Sequence, residues 1–580
     1  MKKTLFALTA FAAVSLNMAA QPPADSTPKY PQGATYTHSS GTQTITGDYT
    51  SSTQYYNVIQ CTGGTLTMNG CTVTKTGDGS GGDNSSFYGN NSSIYCGAAS
   101  SSNYESTTAA SGAKIVIQNV TVNGSAQGAN AVIATNGATV EIDGITIVND
   151  KSVSRGLHAT YGGIITASNV DITTNEATSS TIATDRGGGT VTVNGGTATA
   201  NGAKSAVIYS TGVMSATNLV GTSAQGEIAV IEGDNSISMT NCTMTSGSSE
   251  RGLLMMQSGS GDASGVNPVM TITGTSLTMT DSSAPLLEVA TCVTATCTLD
   301  NCTVSVPSGI LMYVMADSQW STSGAVGNLI LSNGSYSGIV KYDTGYTANV
   351  TVNEGAVWIL TGNASVSSLV NNGTIITNGY TLTAASSTGS GTQVATATQS
   401  LTIGDLGYAT LCSPYPLDLS TTGLEAYTAS FGTEGTITLS SALTTIPAAT
   451  PVIVKGDAGT YTIPMAASAS SVSDNDLLGT LTSLTTSSDY AYYALTKISD
   501  STVGFGLVGT GVAIPANKAY YRTTASSSAR TYYTWDDATA IRSVATPAAT
   551  SAATYNLQGV QMRQPVKGIA IREGKKVIIK

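Results

Sequence analysis

The stretch from Ala131 to Asp150 reads AVIATNGATVEIDGITIVND and contains three short runs, AVIAT, ATVEID and ITIV. Apolar and polar residues alternate within these runs, a pattern that predicts strands rather than helices. Valine, isoleucine and threonine at such positions suit a pleated sheet. The next unit, within residues 157–173, repeats the three runs as LHAT, IITASN and VDIT. The chain is therefore predicted to be all-β and repetitive.

The junction between the second and third runs recurs at nearly constant spacing. Early steps are 25 residues (144 − 119) and 25 residues (169 − 144), with later steps of similar length. Three strands per turn at this period predict a right-handed parallel β-helix over residues 50–383, with about 4.8 Å of axis per rung. A tight turn on each rung needs a left-handed residue, which Asn and Gly tolerate best. The junction residues are Asn119, Gly144, Asn169, Gly195, Asn218, Asn241, Asn301 and Asn333.

These junctions resemble the asparagine ladder of the pectin-lyase-like β-helix superfamily, which lies between the second and third strands. The resemblance covers about 330 residues and concerns architecture. It implies that stacked asparagine side chains bond to one another along the axis. It also implies that any catalytic groups lie on the first strand and the loop before it. The ladder asparagines are Asn119, Asn169, Asn218, Asn241, Asn301 and Asn333.

The third run predicts one inward and two outward columns of side chains. The inward column is Cys71, Val120, Ile145, Val170, Leu219, Cys242, Leu277 and Cys302, so these cysteines are interpreted as apolar fillers. One outward column is Thr72, Thr121, Thr146, Thr197, Thr243, Thr278 and Thr303, and the second is Thr74, Thr173, Thr199, Thr222, Thr245 and Thr280. Flat threonine arrays resemble those of ice-binding proteins, but threonine is also a common residue of solvated strands.

Charge and composition exclude several classes of function. The chain has 23 basic and 34 acidic residues, a net charge of −11. A nucleic-acid or anionic-membrane partner would need basic patches, so neither is predicted. Only two histidines occur and no Cys-x-x-Cys pair is present, so no metal site and no cofactor are expected.

Scarce charges cluster beside the first strands of successive rungs between residues 150 and 251. Asp185, Arg186, Glu232 and Asp234 are the candidate catalytic residues if the chain is an enzyme, since a hydrolase needs two placed carboxylates and a lyase needs a base. The polygalacturonase-like signatures of the superfamily are absent. These charges are therefore interpreted first as solvated loop residues and surface ion pairs.

Residues 77–112, rich in Gly, Ser, Asn and Tyr, interrupt the early rungs and are interpreted as a flexible loop. Eight cysteines in an exported chain raise the question of disulfides. Only Cys61, Cys71 and Cys96 as one group, and Cys292 with Cys297, are close enough in sequence to pair. Cys412 stands alone in another domain, which predicts at least one free thiol.

The amino terminus predicts export. Lys2 and Lys3 precede an apolar segment and small residues, which identifies residues 1–20 as a signal peptide too short to span a membrane. Residues 21–49 are assigned to an N-terminal segment or cap. No later apolar run reaches the length of a membrane helix, so no transmembrane segment is predicted.

The pattern changes after the repeats. Residues 384–398 (AASSTGSGTQVATAT) are predicted to be a linker, and 399–540, with longer strands and more aromatic residues, an antiparallel β-sandwich. This domain resembles an all-β module of exported Bacteroidetes proteins. A short β tail, 541–580, follows, and its alternative role is a hairpin that closes the sandwich.

The tail resembles the C-terminal sorting domain of the type IX secretion system. Its matching positions are Tyr555, Gly559, Gly568, Gly574 and Lys580. The resemblance implies two partners, the secretion machinery and surface lipopolysaccharide, and a location at the cell surface or outside the cell.

Three functions remain open from the sequence. The favoured prediction is a cell-surface adhesin or structural protein, non-enzymatic, that binds a polysaccharide or a host surface protein. The alternative is a polysaccharide lyase or glycoside hydrolase on the same scaffold. Ice binding is the remote third possibility. Fold does not decide among them, because one fold hosts many functions.

Overall fold

A computed structural model provides the coordinates. It describes residues 28–79, 83–98, 112–317, 324–466, 469–470, 472–499, 502–524, 529–535, 554–555, 568–572 and 575–579. The predicted signal peptide, 1–20, lies outside the described residues, as do Gly559, Gly574 and Lys580 of the tail. The described chain is almost entirely β-structure, with one short helix, Asn84–Tyr88. The all-β prediction is confirmed.

The first runs of successive repeats form one parallel sheet, here called the first sheet. Each strand pairs in parallel with the strand of the next rung, for example Leu157–Ala159 with Ile182–Thr184. In the described chain its twelve strands are Gly33–His38, Tyr56–Cys61, Ile94–Cys96, Val132–Ala134, Leu157–Ala159, Ile182–Thr184, Ile208–Ser210, Ala229–Glu232, Leu253–Met256, Leu287–Val289, Ile310–Val314 and Ile339–Tyr342.

The second and third runs form the other walls of the solenoid, and in the middle rungs they join into one bent strand. These strands also pair in parallel and in register, for example Ile145 with Val170. They are Thr42–Ile45, Asp48–Ser51, Thr65–Asn69, Thr72–Lys75, Lys114–Gly124, Thr139–Asn149, Gly163–Thr174, Gly189–Ala200, Val213–Ser223, Ser236–Thr240, Thr243–Ser246, Val269–Thr273, Ser276–Met279, Thr294–Asp300, Thr303–Ser305, Val326–Ser332, Thr347–Val352, Ala364–Asn371 and Leu382–Thr388. The predicted parallel β-helix is confirmed.

A left-handed residue makes each bend between the second and third runs. The φ angles are 52° at Asn119, 82° at Gly144 and 55° at Asn169, and the other ladder asparagines are also positive. The resemblance implied hydrogen bonds between one ladder asparagine and the next, but the described ladder side chains do not form them. Instead Asn169 Nδ2 donates to Asp143 Oδ1 of the rung below (2.9 Å), because the residue before each bend presents the nearer acceptor. A Cβ at Gly144 would lie 2.7 Å from Asn119 Oδ1, so glycine leaves room for the asparagine beneath it.

The core is a continuous apolar column inside the solenoid, and the structure corrects the predicted register at one rung. Cys242 lies beside Thr275 rather than Leu277, and Met244 pairs with Leu277. The turn of that rung falls at Gly274, where φ is 57°, so the third run starts earlier than the spacing predicted. The outward columns shift in the same way. Thr278 pairs with Thr245, so it belongs to the second column, and Thr280 lies beyond it.

The solenoid extends further in both directions than predicted. Gly33–His38, within the predicted cap, already pairs in parallel with Tyr56–Cys61. The predicted linker 384–398 carries strand Thr392–Val394, which pairs in parallel with Thr374–Ile376. Small residues gain order here because the open edge of the previous rung offers backbone partners. The last rungs have a separate parallel sheet of Ser335–Ser337, Val357–Ile359, Thr374–Ile376 and Thr392–Val394.

Antiparallel sheets follow the solenoid, as predicted. Val357, Ile359 and Ile376 of the last rungs pack against Tyr415 and Met465 of this region. Its strands are Thr398–Ile403, Tyr408–Cys412, Leu417–Asp418, Glu425–Tyr427, Ala429–Phe431, Ile437–Leu439, Thr445–Ile446, Pro451–Lys455, Gly459–Pro464, Leu478–Thr480, Leu484–Thr485, Tyr490–Ser499, Thr502–Val508, Ala513–Ile514, Lys518–Thr524 and Tyr532–Thr534.

The tail forms a small antiparallel sheet of its own. Thr554–Tyr555 pairs with Gly568–Arg572, which pairs with Lys575–Ile579. Among the described residues this sheet is separate from those of the preceding region, so the alternative of a hairpin closing the sandwich gains no support. No helix in the described ranges is long and apolar enough to cross a membrane.

Candidate functional site

The first sheet presents a row of side chains on its outer face. In the short strands Leu157–Ala159 and Ile182–Thr184 the end residues point into the core, so the middle residue points out. The middle residues of five successive rungs are in register: Ile133, His158, Ala183, Tyr209 and Val230. Charged side chains of the middle rungs lie beside this row: Asp185 next to His158, and Glu232 next to Tyr209.

Two segments lie over this row. The first, called the covering segment (residues 83–93), includes helix Asn84–Tyr88, whose Phe87 and Tyr88 are 4% and 8% exposed. The second, called the covering loop (residues 257–265), lies over the rungs that follow. Its Ser264 carbonyl accepts a hydrogen bond from the Asp234 amide (2.8 Å). The predicted flexible loop is therefore packed over residues 83–98. The aromatic side chains of this segment contact apolar and cationic side chains beside the first sheet. These contacts could not be predicted from its polar composition.

Arg155 and Asp185 form a buried ion pair beneath the covering segment. Arg155 Nη2 lies 3.2 Å from Asp185 Oδ2, and 3.6 Å from Oδ1 of the more exposed Asp83. Arg155 Nη1 also donates to Ser86 Oγ of the helix (2.6 Å). Burial raises the pKa of Asp185 well above its usual value, and the Arg155 charge opposes that shift. The pair therefore anchors the covering segment to two rungs.

His158 lies beside this pair and is completely buried. Its Nε2 is 3.9 Å from Asp185 Oδ2, and neither ring nitrogen makes a hydrogen bond of normal geometry. Burial and the neighbouring Arg155 lower the pKa of His158 well below its usual value. The imidazole is thus neutral in the folded protein at ordinary pH.

Glu232 is the second buried carboxyl of this region and is 3% exposed. Its Oε1 accepts a short hydrogen bond from the Tyr209 hydroxyl, whereas Oε2 has no hydrogen-bond partner among the described residues. Burial raises the pKa of Glu232, and the nearby Ser258 and Tyr209 hydroxyls oppose that shift. The negative charge of Asp185 acts on Tyr209 as well, so the two carboxyls belong to one electrostatic environment.

Arg186 joins the two covering elements at the rim of this region. Its Nε donates to Asp262 of the covering loop (2.6 Å), and its Nη1 donates to Asn84 of the covering segment (3.2 Å). The guanidinium also lies 4.3 Å from the ring centre of Phe87, a cation–π contact. With about a third of its side chain exposed, Arg186 is more accessible than Arg155, Asp185 or Glu232.

Three of the four sequence-predicted candidates thus come together. Asp185, Arg186 and Glu232 share the region called the first-sheet cluster, whose members are Arg155, His158, Asp185, Arg186, Tyr209 and Glu232. Asp234 does not join it, because its side chain is exposed beyond the end of its strand. The prediction that these charges are solvated loop residues is wrong for Asp185 and Glu232, which are buried.

A second charged cluster lies further along the same face. Arg251 contacts four carboxylates: Glu288 (2.8 Å), Glu250 (3.0 Å), Glu227 (3.1 Å) and Asp317 (3.4 Å). Burial raises the pKa of Glu288 to about 7, and the Arg251 charge opposes the shift. Sequence reasoning missed Glu288 and Asp317. The signal for Glu288 was its position as the middle residue of the first-sheet strand Leu287–Val289.

Burial limits the chemistry that the charged residues of these two clusters can perform, because a substrate must reach them. Buried carboxyls with raised pKa values are suited to general acid catalysis. Asp185 and Glu232, however, are 2% and 3% exposed beneath the covering elements, which leaves no room for a sugar ring beside them. In the described parts of the chain no group of His, Cys, Asp or Glu side chains could hold a metal ion.

The third-run strands present a long open surface instead, called the third-run face. Its main column continues in register through nine rungs at half-buried or exposed positions. The column is Thr72, Thr121, Thr146, Asp171, Thr197, Val220, Thr243, Ser276 and Thr303. Thr197 donates its hydroxyl to Asp171 (2.7 Å), so side chains of neighbouring rungs bond along the column.

In-register parallel sheets around one apolar core define the class of this protein, a parallel β-helix. No protein-family model matches the chain, and no curated protein matches it. A mutant tailspike protein of E. coli bacteriophage HK620, solved with a hexasaccharide, is similar at 10% identity and a TM-score of 0.31, over 73% of this chain and 86% of that chain. The same tailspike solved with a pentasaccharide gives 12% identity and a TM-score of 0.25 over the same shares. At these TM-scores the likeness carries nothing about activity or ligand.

Proposed function

We propose that this protein is an exported, cell-surface β-helix that binds glycans without cleaving them, and that the third-run face is its binding surface. The observation that carries the proposal is the in-register column along nine rungs of this face, in which eight of the nine side chains carry a hydroxyl or carboxyl group. A rigid array of this kind can bond to many units of one extended polysaccharide. Its ligand is then a neutral or weakly charged glycan, because the column carries one carboxylate, that of Asp171.

The physical basis is the spacing and rigidity of the column. Successive rungs of a parallel sheet lie about 4.8 Å apart, so each hydroxyl has a fixed place relative to the next. Thr146, Thr197 and Thr243 are exposed, with their backbones held in paired strands. Little side-chain freedom is lost when such short residues bind, which lowers the entropic cost of association.

The test is a panel of plant, mucin and bacterial polysaccharides, scored for retention of the protein and for release of products. We expect retention with no new reducing ends and no unsaturated products. The variant Thr146→Arg/Thr197→Arg/Thr243→Arg should lose retention, because three long cations block the column. The matched control places arginine at Thr166, Thr192 and Ser215, which face outward on the second-run strands. Equal loss in both variants, or in neither, would contradict the third-run face as the site.

A second candidate function is a polysaccharide lyase or glycoside hydrolase. The observation in its favour is the convergence of Asp185, Arg186 and Glu232 in the first-sheet cluster, with raised pKa values for both carboxyls. This activity requires the covering segment and covering loop to move apart. Product release that disappears in Asp185→Asn or Glu232→Gln, and survives in Asp234→Asn, would establish it and overturn the non-enzymatic proposal.

Ice binding is the least supported of the three functions. Asp171 and Val220 interrupt the threonines of the main column, and the neighbouring column contains Asn123 and Val148. A surface that matches ice needs a regular threonine array. These interruptions leave hydroxyls in irregular groups, which favours a flexible polar ligand such as a glycan over a crystal face.

Attachment to the cell surface rests on the two ends of the chain. The signal-peptide pattern of residues 1–20 and the sorting-domain resemblance of the tail together support export through the type IX secretion machinery. The separate antiparallel sheet formed by Thr554–Tyr555, Gly568–Arg572 and Lys575–Ile579 is compatible with a tail that acts on its own. We include attachment to surface lipopolysaccharide in the proposal.

A further inference from the structure

Two cysteines face each other across neighbouring rungs near the start of the solenoid. Strands Tyr56–Cys61 and Ile94–Cys96 pair in parallel, and their register sets Ile59 opposite Ile94 and Cys61 opposite Cys96. Both cysteines belong to the apolar core and are 0% exposed. They are the last residues of their strands, so their side chains point inward at the same corner of two successive rungs.

The separation of these positions suits a covalent bond. Paired residues of adjacent parallel strands lie about 4.8 Å apart, within the Cα range of about 4.4–6.8 Å found for disulfides. In the folded protein Cys96 also lowers the pKa of the Cys61 thiol to about 6, while burial raises that of Cys96.

We propose that Cys61 and Cys96 form a disulfide when the protein folds in an oxidising compartment. The in-register placement of the two inward side chains on adjacent strands carries this assignment. It is independent of the proposed glycan binding, because neither residue touches the third-run face.

The oxidant is a small disulfide such as oxidised glutathione. The Cys61 thiolate attacks one sulfur of that disulfide, which forms a mixed disulfide and releases one glutathione thiolate. The Cys96 sulfur then attacks the Cys61 sulfur and releases the second glutathione. Two protons pass from the protein thiols to the two glutathiones, and two electrons pass to the oxidant. Because both thiols are buried in the finished solenoid, we place this exchange before the first rungs close.

The bond would fix one end of the covering segment. Cys96 ends strand Ile94–Cys96, which follows the covering segment directly, while helix Asn84–Tyr88 near the start of that segment is held by Arg155 and Arg186. A link from Cys96 to Cys61 ties the returning chain to the rung below it. The covering segment would then be held by hydrogen bonds from the two arginines near its start and by a covalent bond in the strand that follows it.

Cys242 and Cys302 provide a matched internal control. They are buried in one inward column, as Cys61 and Cys96 are in theirs, but Thr275 lies between them. Two rungs separate their backbones by about 10 Å, which is beyond the reach of a disulfide. If oxidation depended only on burial or on position in an inward column, Cys242 and Cys302 would form a disulfide as readily as Cys61 and Cys96.

The experiment refolds the full mature chain with oxidised glutathione, removes the oxidant and counts thiols in denaturant. We expect six of the eight thiols to remain, an intact mass lower by about 2 Da, and one digestion product that joins the peptides of Cys61 and Cys96. The Cys61→Ala variant should lose no thiols on oxidation. The Cys242→Ala/Cys302→Ala control should still lose two.

Three outcomes would overturn the assignment. Eight free thiols after refolding in the oxidant would show that the pair does not form. A digestion product that joins Cys61 to Cys71, or Cys292 to Cys297, in place of the expected one would assign the bond elsewhere. Loss of two thiols in Cys61→Ala would show the same. Peptide mapping of the unaltered chain decides the question even if the alanine variants fold poorly.

Discussion

Arg155 and Asp185 pair at 3.2 Å on adjacent rungs of the first sheet, and neither side chain is more than 7% exposed. Arg155 also bonds to Ser86, so the ion pair holds the covering segment onto the sheet. A charge pair taken out of water is costly unless both partners are present, so removing one member leaves the other uncompensated. The pair is thus a structural link between the solenoid and its cover.

Asp185→Ala should therefore reduce stability strongly. We expect a loss of about 3–5 kcal/mol in the free energy of unfolding, since the buried Arg155 charge loses its main partner. Chemical denaturation followed by circular dichroism measures the change. Asp234→Ala, at an exposed position outside the first-sheet cluster, is the control and should change stability by less than about 0.5 kcal/mol. Equal losses in the free energy of unfolding from the two variants would show that the Arg155–Asp185 ion pair does not stabilise the fold more than an exposed carboxylate does.

Glu288 should make the protein less stable as the pH rises. Burial raises the pKa of its carboxyl from 4.5 to about 7, so the folded state holds this proton more tightly than the unfolded state does. Its contribution is full below pH 4.5 and is lost as the pH rises through about 7. The difference corresponds to about 3 kcal/mol across this range. Glu288→Gln, which cannot ionise, should therefore flatten the decline and melt higher than the unaltered protein at pH 8.

Asp185 and Glu232 have shifts of the same sign, so a single pH profile of the unaltered protein would not isolate Glu288. The comparison that does so is the melting temperature of Glu288→Gln and of Glu250→Gln at pH 4.5 and pH 8. Glu250 contacts the same Arg251 but its side chain is 69% exposed. A profile for Glu288→Gln that runs parallel to that of the unaltered protein would refute this assignment.

The ladder position Asn169 should tolerate glycine better than valine. Its φ of 55° is a left-handed conformation, which costs an ordinary residue about 1–2 kcal/mol and glycine almost nothing. Both substitutions lose the bond to Asp143, so the difference between their melting temperatures reports the backbone term alone. Ser168→Val, one position earlier and in extended conformation, serves as the control. If Asn169→Val and Asn169→Gly melt together, the conformational explanation of the ladder is wrong.

The rungs could be predicted from the sequence because their determinants are local. Each bend needs one residue in the left-handed backbone conformation, and Asn or Gly at that position supplies it. The alternation of apolar and polar residues along a strand indicates which side chains face the core. The register prediction was wrong at Leu277, Thr278 and Thr280, where the insertion before Val269 removed the regular spacing. The predicted end of the solenoid was wrong, because Thr392–Val394 forms one more strand by pairing with Thr374–Ile376. The small residues around this strand have a low intrinsic preference for β-structure, so the sequence predicted a linker.

The candidate site could be predicted only in part. Asp185, Arg186 and Glu232 stood out because charges are rare in this chain. Their burial could not be predicted, since it depends on contacts such as that of Phe87 with Arg186, which lie far apart in sequence. Glu288 and Asp317 were missed for a similar reason, as the rung register that joins them to Arg251 emerges only in the folded chain.

Removal of residues 541–580 should abolish surface attachment and leave the fold intact. In the described part of the chain, Tyr533 and Trp535 are the last buried residues of the antiparallel region, at 7% and 8% exposed, and the tail strands pair with one another. The truncated chain should therefore keep the melting temperature and glycan retention of the full-length protein. In a bacterial host that has a type IX secretion system, we expect the truncated chain inside the outer membrane and the unaltered chain at the surface, as measured by protease shaving of whole cells. A variant with Thr554–Tyr555 replaced by two alanines is the milder companion. Surface exposure of the truncated chain at the level of the unaltered protein would exclude a sorting role for the tail, whereas loss of both exposure and melting transition would assign the tail to the fold instead.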